Sequence, residues 1–99
     1  MTTIYGLREV DSDEVRYIGR TEHPLHKRLH KHRLNARHGY PPKVSAWING
    51  ADGVEIFAIS ECAKADCNRV ERETVERFHN GGHRLTNSHL LPRQTGAAA

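Results

Sequence analysis

Residues 2–7 read Thr2-Thr3-Ile4-Tyr5-Gly6-Leu7 and residues 14–19 read Glu14-Val15-Arg16-Tyr17-Ile18-Gly19, with the polar stretch Asp11-Ser12-Asp13 between them. Both alternate and are rich in β-formers, so the first twenty residues read as a β-hairpin. Pairing Leu7 with Val15 sets Tyr5 opposite Tyr17. At a side-chain period of two, Thr3, Tyr5, Leu7, Val15, Tyr17 and Gly19 then share one face, and two phenols stand side by side.

Outward from the hairpin, Pro24 suits the first position of a helix. Leu25, Leu29, His32 and Ala36 carry that helix to a stop at His38-Gly39. Pro41 and Pro42 open a shorter helix through Trp47 to about Asn49, ended by Gly50. The apolar run Val54 to Ile59, between Gly53 and Ser60, suits a buried third strand, and a last helix from about Ala63 to His79 stops at Gly81-Gly82. The order of elements predicts an α/β (α+β) domain: a small three-stranded antiparallel sheet flanked by helices. The domain is expected over residues 1–91, with a disordered tail over 92–99.

At 99 residues, 36% hydrophobic and 27% charged, the chain has room for one small domain with a thin core. No apolar run approaches the ~20 residues of a membrane span, and Met1-Thr2-Thr3-Ile4-Tyr5 lacks the basic start of a signal peptide. The expectation is a soluble, cytoplasmic protein with no membrane partner. Cys62 and Cys67, read as lying at the start of the last helix, form no disulfide framework. His26 and His30 stand one helical turn apart, but no further pair at the usual spacing completes a zinc site.

The net charge of +3 is mild, yet its distribution is not. Between Glu22 and His38 stand five basic residues (Lys27, Arg28, Lys31, Arg33, Arg37), five histidines and a single acid. Such a helix is either a solvated face or a phosphate-contacting stripe, continued by Lys43.

Two side chains conflict with their helical patterns. In the last helix, Ala63, Cys67, Val70, Thr74 and Phe78 fall in one arc at about 100° per residue, and Glu71 lies inside it. A carboxylate there needs a cation, a hydrogen-bond donor or a metal. In the first helix His32 sits within the buried stripe, with Arg28 one turn earlier at its edge. Phenols, an imidazole, a guanidinium and a carboxylate together suit phosphate-ester hydrolysis. A phenol or imidazole takes a proton from water, Arg neutralises phosphoryl charge, and Glu holds a hard cation.

With Thr3-Ile4-Tyr5, Tyr17-Ile18-Gly19-Arg20-Thr21, the run Leu25 to His32, Trp47-Ile48, Glu71 with Val75, and Leu85-Thr86-Asn87, the chain resembles the catalytic core of the GIY-YIG nuclease superfamily over about residues 2 to 89. Thr3 stands where the first motif has glycine, and Ser88-His89-Leu90-Leu91 where many relatives have a glycine-rich turn. The resemblance implies a metal-dependent DNA endonuclease or nickase with Mg²⁺, or Mn²⁺ in its place, on Glu71. Arg28 would stabilise the transition state, and Tyr5 and Tyr17 would be the general base and its partner, with Tyr5 preferred as base. His32 would orient or deprotonate a phenol, and Asn87 would contact the surroundings of the site. Gly19 would spare the phosphate a crowding side chain beside Tyr17.

The expected partner is DNA, duplex or single-stranded, bound by Lys27, Lys31, Arg33, Arg37 and Lys43. With no room for a separate recognition domain, specificity would come from loops, a partner protein or a homodimer. The competing reading is a non-catalytic nucleic-acid-binding or regulatory module that retains the nuclease fold.

Overall fold

A computed structural model describes residues 1–87; the expected domain end at residue 91 and the tail over 92–99 lie outside the described residues. Strands β1 (Thr2–Glu9) and β2 (Val15–Thr21) form the hairpin, and helices α1 (Leu25–Arg37) and α2 (Pro42–Gly50) follow. Strand β3 (Val54–Cys62) and a 3-10 turn at Lys64–Asp66 then lead into helix α3 (Cys67–Asn80). The sheet runs β2-β1-β3 with both pairings antiparallel, so the fold is a three-stranded antiparallel sheet with helices, of the α+β class. Among the described residues no helix is long and apolar enough to cross a membrane.

The central strand β1 is apolar on both sides because both of its faces are covered. Ile4 joins Val15, Ile18, Cys62, Cys67, Val75 and Leu85 in one cluster beneath α3. Tyr5 and Leu7, pointing the other way, join Val44, Trp47 and Val54 beneath α1 and α2. Helix α1 ends as expected at His38, where Gly39 (φ +73°) turns back and its N–H bonds the Ala36 carbonyl at 3.0 Å.

The hairpin register differs from the expected one. Leu7 pairs with Tyr17 and Tyr5 with Gly19, and a β-bulge between Leu7 and Arg8 sets Val15 opposite Arg8. Val15 therefore leaves the tyrosine face and enters the core under α3. The cause lies far along the chain. The segment from His83 to Asn87 straps the free edge of β2 and takes the hydrogen bonds that the bulge releases. The Val15 N–H donates to His83 Nδ1 at 2.8 Å, and the Arg16 carbonyl accepts the Thr86 N–H at 2.6 Å. Asn87, 1% exposed, substitutes for a fourth strand: its Oδ1 accepts the Ile18 N–H at 2.8 Å and its Nδ2 donates to the Ile18 carbonyl.

Two other boundaries shift. Cys62 closes β3 rather than opening a helix, and the 3-10 turn delays α3 to Cys67; both cysteines are free and buried. Strand β3 is only partly buried, because it is an edge strand interrupted by Glu55, whose Oε2 accepts from Arg8 Nε at 2.6 Å.

Asn87→Ala leaves both Ile18 backbone groups unpaired in a buried setting and is expected to cost about 2–4 kcal/mol. The measurement is urea unfolding, with a lower midpoint and unchanged slope; a loss below about 0.5 kcal/mol would mean that water caps the β2 edge equally well.

Candidate active site

Helix α1 crosses the tyrosine face with Leu25, Leu29 and Ala36 turned inward, and the spacing of four sets Arg28 and His32 on that same side. Both reach one atom. Tyr5 Oη lies 2.6 Å from His32 Nε2 and accepts a hydrogen bond from Arg28 Nε at 3.0 Å. A guanidinium only donates, so the phenol proton points to Nε2, and the imidazole accepts it as the neutral Nδ1–H tautomer. Burial, then the charge of Arg28, holds His32 down to about 4, consistent with that neutral form. Tyr5 is wholly buried, and its pKa is raised well above the ordinary phenol value by that burial and by Tyr17.

Tyr17 packs its ring edge-on to His32 at a centroid distance of 5.0 Å and lies 6.3 Å from the Tyr5 ring. The register makes the two tyrosines diagonal neighbours. Tyr17 keeps part of its surface exposed, whereas Tyr5 keeps none. Burial raises the Tyr17 pKa, and the charge and hydrogen bond of Arg28 work against that rise. Tyr17 is thus the more accessible of the two phenols.

Gly19 has a packing reason of its own. A Cβ there would stand 2.7 Å from Tyr5 Cζ and 2.9 Å from Tyr17 Cε2. The missing side chain makes room for the buried phenols themselves.

Glu71 approaches from the other side of the sheet. Its side chain is 14% exposed, and its Oε1 lies 3.5 Å from Arg20 Nε. Arg20 Nη1 also donates to Cys67 Sγ at 3.1 Å and to Asn68 Oδ1, so one guanidinium ties β2 to the first turn of α3. Burial is the main cause of the raised pKa of Tyr5 and Tyr17, and the negative charge of Glu71 adds to it. Arg20 was not singled out from sequence. The signal was present: an inward carboxylate on α3 requires a cation, and strand alternation turns Arg20 to the side opposite Tyr17 and Gly19.

Between these halves, at the end of the sheet where β1 begins and β2 ends, lies an open groove of about 660 Å³ lined by Arg28, Arg20, Lys64, Thr2 and Thr21 among others. The expected basic stripe is not a single surface. Lys27, Lys31, Arg33, Arg37 and Lys43 are all exposed. At 3.6 residues per turn, Lys31 and Lys27 lie about 60° and 100° from Arg28, whereas Arg33 and Arg37 lie about 140° and 180° away on the opposite flank. Arg33 Nη2 is tied there to the Val54 carbonyl at 3.2 Å. Lys27 and Lys31 thus flank the Arg28 side of the helix.

The buried neutral His32 makes stability pH-dependent. Its ordinary value is 6.5 and its folded value about 4, so between these the unfolded chain binds a proton that the folded chain does not. Stability is full above pH 6.5 and falls as pH drops toward 4, by up to about 3 kcal/mol. Urea titrations across that window should show the loss, and His32→Gln should flatten it. Gly19→Ala is expected to destabilise by about 1–3 kcal/mol through the crowded phenols, read by the same titration at pH 7.

Comparison of the chain with family models, with curated proteins and with solved structures finds no match.

Proposed function

We propose that this chain is a metal-dependent nuclease of the GIY-YIG kind, hydrolysing phosphodiester bonds in DNA. The observation that carries the reading is the convergence of Arg28 and His32 on Tyr5 Oη, with Tyr17 beside them. A purely structural core has little use for so many polar groups, each of which loses hydration on burial.

Arg28 is the charge stabiliser. Its Nε is held by Tyr5 and it also hydrogen-bonds Tyr17, while the guanidinium borders the groove, where it would oppose charge developing on phosphoryl oxygens. Tyr5 and His32 act behind it as positioning residues: the imidazole fixes the phenol proton, and the phenol oxygen fixes the guanidinium. Tyr17, the less buried phenol, is the general base; burial raises its pKa and Arg28 offsets part of that rise.

Glu71 is the candidate ligand for a hard cation. Among the described residues no three His, Cys, Asp or Glu side chains converge into a protein cage. One carboxylate suits Mg²⁺, which takes one or two carboxylates and completes its shell with water and substrate oxygens. When bound, Mg²⁺ or Mn²⁺ supplies Lewis-acid charge at a phosphoryl oxygen. Arg20 balances the carboxylate otherwise.

The test is nicking of supercoiled plasmid and cutting of labelled single-stranded DNA in Mg²⁺, Mn²⁺ and EDTA. Wild-type activity should require metal, and Arg28→Ala and Glu71→Gln should each lower it by about 100-fold or more with folding intact. Because the Tyr17 pKa is raised above 10, the rate should climb with pH into the alkaline range, and Tyr17→Phe should abolish the climb. Salt-sensitive DNA binding with no cutting in either metal would instead leave a non-catalytic binding module.

A further inference from the structure

The groove has more polar equipment than one phosphoryl group uses. Arg28 serves its α1 side, where the phenols lie. On the α3 side stand Arg20, Lys64 and Thr2. Thr2 is 3% exposed, and its hydroxyl has no hydrogen-bond partner among the described residues. A buried hydroxyl left without a partner is costly, and because Thr2 borders the groove, a turn of its side chain would offer that hydroxyl to a ligand with acceptor oxygens.

One helix end agrees. Helix α1 starts beside this groove with no side-chain cap and no acid in its first turn, so its free N–H groups add positive potential there, whereas α3 follows a 3-10 turn whose Lys64 carbonyl takes the Cys67 N–H, with Asp66 at its N-cap. Glu22 also borders the groove and lies 3.7 Å from Lys64. Both of those side chains are largely exposed, so the pair is weak and Lys64 can turn to an anion. A volume of about 660 Å³ lies within the ~300–1,000 Å³ typical of ligand sites and exceeds the needs of a single phosphate.

We infer that the α3 side of the groove, formed by Thr2, Arg20 and Lys64, is a subsite for a second backbone phosphate of the substrate strand, next to the phosphodiester facing Arg28. This rests on the nuclease reading. The Thr2 hydroxyl donates to a phosphate oxygen, and Lys64 and Arg20 supply the countercharge. The subsite sets where along the strand the cut falls.

The experiment is fluorescence anisotropy with a labelled single-stranded oligonucleotide in EDTA, so that no cutting occurs, over a salt series, with plasmid nicking in Mg²⁺ run in parallel. Thr2→Val keeps the side-chain shape and removes the orphaned hydroxyl, so its melting temperature should hold or rise while Kd weakens by about tenfold. Lys64→Gln should weaken binding and lower the slope of log K against log salt by about 0.7, the loss of one phosphate contact on a single strand. Arg77→Gln, near the far end of α3, removes the same charge and should leave Kd within about twofold. Unchanged Kd and salt slope in Thr2→Val and Lys64→Gln, with plasmid still nicked, would overturn the subsite and leave the nuclease standing. The reverse result, groove-dependent binding without nicking, would keep the phosphate site and remove the nuclease. Failure of the wild-type chain to bind the oligonucleotide would overturn both.

Discussion

Everything near the candidate site depends on one buried oxygen. Tyr5 Oη sits in the middle of the core on the central strand, fully removed from water, and a phenol there must both give and receive a hydrogen bond. His32 receives and Arg28 gives, and both come from one helix at a spacing of four. That requirement fixes the rotation of α1 about its axis and its position along the strand more tightly than Leu25 and Leu29 alone would. It also explains Gly19, since the ring needs the space a Cβ would fill. Removing either helical partner would leave the phenol half-satisfied, which is worse than an apolar core of equal volume. A small chain that tolerates this arrangement gains a guanidinium held rigidly at the mouth of a groove, and rigidity is what a charge-stabilising group requires.

The second constraint is the pleat of β2. Tyr17 and Arg20 are three apart, so alternation sends them to opposite faces, one toward α1 and the other toward α3. The phenols and imidazole therefore collect on one side of a thin sheet and the Arg20–Glu71 pair on the other. The two halves meet only around the sheet's end, where β1 begins and β2 finishes, and that is where the groove lies. The strap from His83 to Asn87 holds β2 in the register that makes this possible. Glu14 secures the strap: Arg84 pairs with both of its oxygens and holds its carboxyl down to about 2.

The hairpin, the order of elements and the inward histidine were legible because each depends on residues close together in the chain. Glu71 and His32, with Arg28 at the edge of the stripe, stood out as polar groups where helical periodicity asked for apolar ones, and strand alternation brought out Tyr5; the structure puts Tyr5, His32 and Arg28 in direct contact. The register was not legible. It turns on a bulge whose freed hydrogen bonds go to residues almost seventy positions away, and a hairpin read alone contains no trace of them. Arg20 was missed for a related reason: its partner is on α3, and only the topology of the sheet says which helix covers which face. The basic residues of α1 were overread as one stripe because a list of cations carries no direction, whereas the helix divides them between two flanks.

The buried polar groups also separate support from function. His32, Thr74 and Asn87 are all satisfied, by Tyr5, by the Val70 carbonyl and by the Ile18 backbone. Of the three buried side-chain atoms without a partner among the described residues, those of Ser45 and Trp47 belong to α2, away from the groove. The third is on Thr2, which borders it. The same groove gathers Arg20, Arg28 and Lys64, whose mutual repulsion is relieved only in part by Glu22 and Glu71. An anion entering there would satisfy the hydroxyl and the unbalanced charge together, so the features that make this end of the sheet costly to fold are those that a phosphate backbone would repair.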